Sequence, residues 1–228
     1  MSVNNLVQSA SQRVASLPGT EKEVNELQDL LKGKGWKTTE YVETFATEDR
    51  VKEIESPKIF HVATHGFTTP AVEKAEDNEL TSSEAKLAEN PLMKTGLLLK
   101  GAGDILDETS YNYNIKSGIL TAYEAMSLNL DKTDLVVLSA CETGLGEIAN
   151  GEGVYGLQRA FLVAGAKVLI MSMFKVDDDA TQKLILNFYK KWLTTNNMRQ
   201  SFIDAKKELR IEYPEPYYWA PFMMIGLD

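Results

Sequence analysis

One cysteine, two histidines and no apolar run of membrane-spanning length set limits on this 228-residue chain before any motif is read. A single thiol, Cys141, forms no disulfide within the chain, which fits a reducing compartment, most simply the cytosol. One Cys and two His give no ligand set at metal-binding spacing, so no metal and no other cofactor is expected. No segment reaches the roughly 18 consecutive apolar residues that a spanning helix needs. The opening stretch, MSVNNLVQSASQRV, has no apolar signal core. Positive charge is also in deficit: 24 Lys and Arg stand against 33 Asp and Glu. Such a surface repels phosphate backbones and anionic lipid, so neither nucleic acid nor a membrane is expected as a direct partner. Internal repeats and low-complexity tracts are missing as well.

What remains is ordinary for a folded domain, with 43% hydrophobic and 25% charged residues. The length suits one domain over residues 17–228, preceded by a polar leader or the tail of an upstream region over residues 1–16. Thr20-Glu21-Lys22-Glu23 reads as a capping box that opens a helix carrying Val24, Leu27, Leu30 and Leu31. Trp36–Val42 reads as a strand and Thr47–Ile54 as a short helix. Ile59–Thr64 is a short apolar run, read as a buried strand ending at His65-Gly66. Residues 67–95 are acidic and lose all apolar period, which predicts a long surface loop, mobile over 68–94, with a helical turn near Glu84–Ala88. Gly96–Lys100 is a further strand. Thr121-Ala122-Tyr123-Glu124 is a second capping box. Leu135–Ala140 is the clearest buried strand. Helices are expected over Val154–Ala164, from Asp178 or Asp179 onward, and over Met198–Glu212. Strands are expected over Lys167–Met173 and Trp219–Ile225. Apolar strands alternating with helices predict an α/β fold: a mostly parallel sheet with helices on both faces.

Sites in open α/β sheets form beyond the carboxyl ends of strands. His65 and Cys141 each follow a buried strand. If those strands are neighbours, an imidazole and a thiol share one sheet edge, which is what Cys–His nucleophilic catalysis needs. A lone Cys after an apolar strand is, without context, more often buried and inert. Against that, Cys141 leads into the loop Glu142-Thr143-Gly144-Leu145-Gly146, and Gly66 after His65 lets backbone approach a ligand closely. The backbone N–H groups of Gly66 and Cys141 are candidates for an oxyanion hole. His61 competes as the base, but a position inside a strand fits a hydrogen-bonded core histidine better.

Two further patterns are weaker. Gly151-Glu152-Gly153-Val154-Tyr155-Gly156 matches G-x-G-x-x-G, yet about ten residues separate it from the preceding strand. A nucleotide fingerprint places its first glycine directly after the strand, so tight helix–sheet packing is the better reading. Asp177-Asp178-Asp179 precedes a helix, where acids cap and favour the dipole. Three acids exceed what capping needs, and Asp177 or Asp178 is a candidate to receive a basic substrate side chain, Arg before Lys. The competing possibility is an apolar pocket near Met171, Met173 or Phe174.

His65-Gly66 and Ser139-Ala140-Cys141-Glu142-Thr143-Gly144, in order, resemble the motifs of CHAT domains, caspase-like domains usually found after tetratricopeptide repeats. HVATHGF, NPLMKTGLLLKGA, GILTAYEAMSLNL, the run LVVLSACETGLGEIANGEGVYGLQRAFLVAGAKVLIMSMFKVDDDAT, PYYWAPFMMIG and LPGTEKEV carry the similarity, which extends from about Leu17 to the end. It implies a caspase-like fold and a dyad of His65 and Cys141. Caspases proper carry Gln-Ala-Cys with the histidine about 50 residues upstream. Here the stretch is Ser-Ala-Cys, and the wider spacing fits an insert after Phe67. Met173-Phe174 stands where the family often has Leu-Trp. Related separases hold a basic residue with an acid in the region that Asp177 and Asp178 occupy.

Together these features point to a cytoplasmic cysteine endopeptidase that cuts a protein or peptide partner after a basic residue. The resemblance implies a role in bacterial defence or regulated cell death, with a tetratricopeptide-repeat region upstream or in a partner. The alternative is a non-catalytic caspase-like module that binds partners.

Overall fold

In the computed structural model the described residues are 18–68, 90–93, 95–102, 118–140, 152–174 and 176–226. Six strands form one sheet: β1 (Ile59–Thr68), β2 (Thr95–Leu98), β3 (Ile119–Thr121), β4 (Leu135–Ala140), β5 (Val168–Ser172) and β6 (Phe222–Gly226), in the order β3-β2-β1-β4-β5-β6. Among the described residues seven α-helices accompany them: α1 (Pro18–Gly33), α2 (Glu48–Lys52), α3 (Ala122–Ala125), α4 (Glu152–Val163), α5 (Asp178–Thr195), α6 (Met198–Glu212) and α7 (Pro216–Trp219).

The central strands are buried on both sides, which is why they read as unbroken apolar runs. In β4, Leu135 and Val137 join β5's Val168 and Ile170 on one face, against Leu27 and Leu31 of α1, Leu184, Phe188 and Trp192 of α5, and Phe202 and Leu209 of α6. The alternate residues Val136, Leu138, Leu169 and Met171 pack on the other face against Leu157, Ala160 and Phe161 of α4. Each fully buried side chain of this size contributes about 1.5–3 kcal/mol of burial free energy. Helices therefore lie on both faces, as expected.

The expectation of a mostly parallel sheet is corrected. Parallel pairing is confined to β1–β4 and β4–β5, whereas β1–β2, β2–β3 and β5–β6 are antiparallel. One cause is visible between β5 and β6. In the described part of the connection, helix α4 returns the chain so that β5 runs parallel to β4. Before β6 come the short α7 and, ahead of it, two long helices, α5 and α6. They form an antiparallel hairpin turned by Asn196 at φ 55° and pinned by the Lys191–Glu208 and Lys183–Glu212 ion pairs. The chain thus re-enters from the opposite end, and β6 runs back along β5.

Other boundaries also shift. Residues 36–42, expected as a strand, pair with nothing in the sheet; Trp36 instead packs its ring 6.4 Å from that of Trp192. The first capping box does not form, because α1 starts at Pro18 and places Thr20 within the first turn. The second capping box forms as read: Thr121 accepts from the Glu124 N–H and Glu124 accepts from the Thr121 N–H. The loop and turn expected within residues 68–94 lie almost wholly outside the described residues. No described helix is long and apolar enough to cross a membrane.

Candidate functional site

His65 lies where β1 begins to pair with β2. From Ile59 to Thr64, β1 pairs in parallel with β4, and Thr64 opposite Ala140 is the last pair of that ladder among the described residues. From His65 to Thr68 it pairs antiparallel with β2, His65 opposite Leu98 and Gly66 opposite Leu97. The strand therefore runs past His65 rather than ending there. The Thr64 hydroxyl donates to the Leu98 carbonyl at the start of that pairing. His65 is buried, 9% exposed. Gly96 of β2 is required: a Cβ there would lie 2.2 Å from the Leu120 carbonyl oxygen and 2.7 Å from Phe67 Cε1. Phe67, two residues beyond His65, is thus seated directly over the β2–β3 hairpin.

Cys141, the nucleophile expected from sequence, lies outside the described residues, as does its share of the oxyanion hole. The structure describes the residue joined to it by a peptide bond, Ala140, and places that residue beside Thr64. Gly66 is buried within β1.

His61 is a core histidine held by polar partners. Its Nε2 is 2.8 Å from Glu23 Oε1 of α1, and its Nδ1 is 3.3 Å from the hydroxyl of Tyr189 in α5. The other Glu23 oxygen accepts a 2.9 Å hydrogen bond from the Ser139 hydroxyl in β4. The side chains of His61 and Glu23 are 8% and 4% exposed. Burial, then the Glu23 carboxylate, push the Tyr189 phenol well above its ordinary value, so it keeps its proton and can donate to Nδ1. With Nε2–H then donating to Glu23, every named group in the cluster has a partner.

Sequence reasoning missed Glu23 and Ser139. Both left a signal. Glu23, Leu27 and Leu31 fall at i, i+4 and i+8, so an acid sits on the helix's apolar stripe. Ser139 interrupts an otherwise apolar strand.

Of the acids before α5, Asp177 is the cap itself. Its Oδ1 accepts from the Ala180 N–H at 2.9 Å, so the cap falls just before Asp178 and Asp179, the caps expected from sequence. Asp179 accepts from the Tyr213 hydroxyl and pairs with Lys183; these two, Tyr213 foremost, hold its carboxyl below the ordinary value. Asp178 is half-buried, its Cβ 3.4 Å from where a Cβ on Gly19 would stand. Among the described residues its carboxylate makes no hydrogen bond or ion pair. Of the alternative apolar pocket, Met171 is buried and Phe174 is 41% exposed. Gly156, from the glycine pattern, packs closely: a Cβ would meet Thr95 Cγ2 at 2.9 Å. Among the described residues no group of three or more His, Cys, Asp or Glu could hold a metal ion.

Comparison with known proteins places this arrangement in context. The family model described as the CHAT domain matches residues 2–227. The human protein named tetratricopeptide repeat protein 28 is 25% identical over 218 residues, covering 93% of this chain and 8% of that protein. The mouse protein of the same name is 31% identical over 112 residues, covering 48% of this chain and 4% of its own length. The chain thus spans less than a tenth of the curated relatives it matches.

Proposed function

The chain belongs to the CHAT domain family, and from that premise we propose that it is a cysteine endopeptidase in which Cys141 is the nucleophile and His65 its base. The observation that carries the proposal is the Thr64–Ala140 pair. His65 follows one member of it and Cys141 follows the other, in adjacent parallel strands. Neighbouring strands that lead into a thiol and an imidazole support the reading, since Cys–His catalysis needs the two side chains within reach of each other.

The chemistry follows from those roles. His65 takes the Cys141 proton, and the thiolate attacks the scissile carbonyl. Negative charge then grows on the carbonyl oxygen, facing the N–H groups of Gly66 and Cys141. His65 returns the proton to the leaving amine, which departs and leaves a thioester on Cys141. Water, deprotonated by His65, attacks the thioester carbonyl and releases the new carboxyl terminus and the thiol. No metal or cofactor takes part in this scheme. The substrate is a protein or peptide with a basic residue before the scissile bond. With Asp177 committed to the cap of α5, Asp178 is the better candidate to receive it. The proposed setting is the cytoplasm, in bacterial defence or regulated cell death, with a tetratricopeptide-repeat region upstream or in a partner. That last element accords with the names of the relatives.

Incubation with a random-peptide library, with cleavages located by mass spectrometry, tests the assignment. Cuts after Arg that vanish in Cys141→Ala support it. Peptide capture without cleavage would move the chain to the alternative, a non-catalytic partner-binding module.

A further inference from the structure

The buried cluster of Glu23, His61, Ser139 and Tyr189 has no part in the steps above, yet it joins four elements just behind the proposed dyad. His61 and Ala63 pair with Val137 and Ser139, and the strand alternation puts these residues on one face. The same face, one step further along β1, carries His65. The Glu23 carboxylate spans the two strands: one oxygen meets His61 of β1 and the other Ser139 of β4. Because the carboxylate lies between the ring and the hydroxyl, Ser139 and His61 do not form a nucleophile–base pair of their own. The arrangement is a clasp.

We propose that Glu23 is a positioning residue, which clasps the ends of β1 and β4 from the α1 side through His61 and Ser139 and so sets the approach of His65 and Cys141. The assignment of the dyad is taken from the preceding section; the clasp itself is not. The physical grounds are burial and directionality. Hydrogen bonds to a charged group are roughly twice as strong as neutral ones. In a buried site, loss of one partner leaves the others unsatisfied, which disfavours the closed arrangement. Glu23 reaches His61 four residues before His65, and Ser139 two residues before Cys141. At the opposite end of the same strands, Asp134 meets Lys58 and Lys167, but Asp134 is only half-buried and both lysines are exposed, so these pairs hold the strands weakly. The end beside the dyad is the one with a buried clasp.

The test compares wild type with Glu23→Ala, Glu23→Gln and Ser139→Ala by amide hydrogen exchange and by the rate at which a peptidyl chloromethyl ketone labels Cys141. Glu23→Ala should speed exchange about tenfold or more at Val62–His65 and Val137–Ser139, while β6 and α6 change little. Labelling should slow by a similar factor, and Glu23→Gln, which keeps an acceptor oxygen, should recover part of both. If Glu23→Ala does not fold, Ser139→Ala removes one arm of the clasp and should give a smaller change of the same pattern. Faster exchange everywhere, or none, with labelling unchanged, overturns the clasp. Localised exchange in a protein whose wild-type Cys141 labels no faster than a free thiol supports the clasp and overturns the dyad instead.

Discussion

Thr64 and Ala140 face each other as the last described pair of the parallel ladder between β1 and β4. From His65 onward β1 also pairs antiparallel with β2, so the proposed base is the first residue of β1 held from that side.

The two histidines should separate by phenotype. His65→Ala should lower peptide cleavage by about 10²–10⁴-fold, the usual worth of a general base, with little loss of stability. His61→Ala should chiefly destabilise, by about 3 kcal/mol, since it leaves Glu23 buried without its ring partner. Urea unfolding beside a cleavage assay checks both. A reversed pattern would make His61 the base.

The acids before α5 should also behave differently from one another. Asp177→Ala should cost about 1 kcal/mol, the ordinary worth of a helix cap. Asp178→Asn should leave the melting temperature nearly unchanged and reduce cleavage after Arg about 100-fold, with probe labelling of Cys141 intact. If no single replacement alters the preference for Arg, the specificity pocket lies elsewhere, with the surface near Met173 and Phe174 the next place to look.

Much of this was legible in the sequence, and the failures have physical reasons. The bounds of α6 and the capping box of α3 follow directly from local chemistry, because asparagine and threonine caps fix them. The alternating burial of β4 and β5 is written as continuous apolar runs. The start of α1 was misread because Thr20-x-x-Glu23 has the form of a capping box whether or not the helix begins there. Once Pro18 starts the helix, Glu23 turns inward instead. Strand direction was misjudged because alternation of strands and helices does not show that α5 and α6 form a hairpin. The position of His65 is legible, but the antiparallel pairing with β2 that begins there is not, since pairing partners far apart in sequence leave no local trace.

Gly96 should tolerate no side chain. Gly96→Ala would force a Cβ against the Leu120 carbonyl and Phe67, and should destabilise by at least about 2 kcal/mol. Chemical denaturation measures it. A neutral result would show that the β2–β3 hairpin yields easily and does not seat Phe67.

Acid should expose the Glu124 bonds. Burial alone would raise this carboxyl, but bonds from Lys52 and Thr121 outweigh it and hold the group below its ordinary value. A carboxyl depressed in the fold contributes stability that is present above its unfolded value, about 4.3, and is lost as pH falls through the lower folded value. Wild type should therefore lose stability more steeply below about pH 4.5 than Glu124→Gln does. Equal slopes would contradict the role given to these bonds.

The most direct measurement of the central claim is the mass of the adduct formed with a peptidyl-arginine chloromethyl ketone, mapped by proteolysis, in wild type and in His65→Ala. The account predicts one adduct, on Cys141, formed in wild type at least about 100-fold faster than in His65→Ala. An equal rate in the two proteins, or a rate no greater than that of a free thiol, would contradict it.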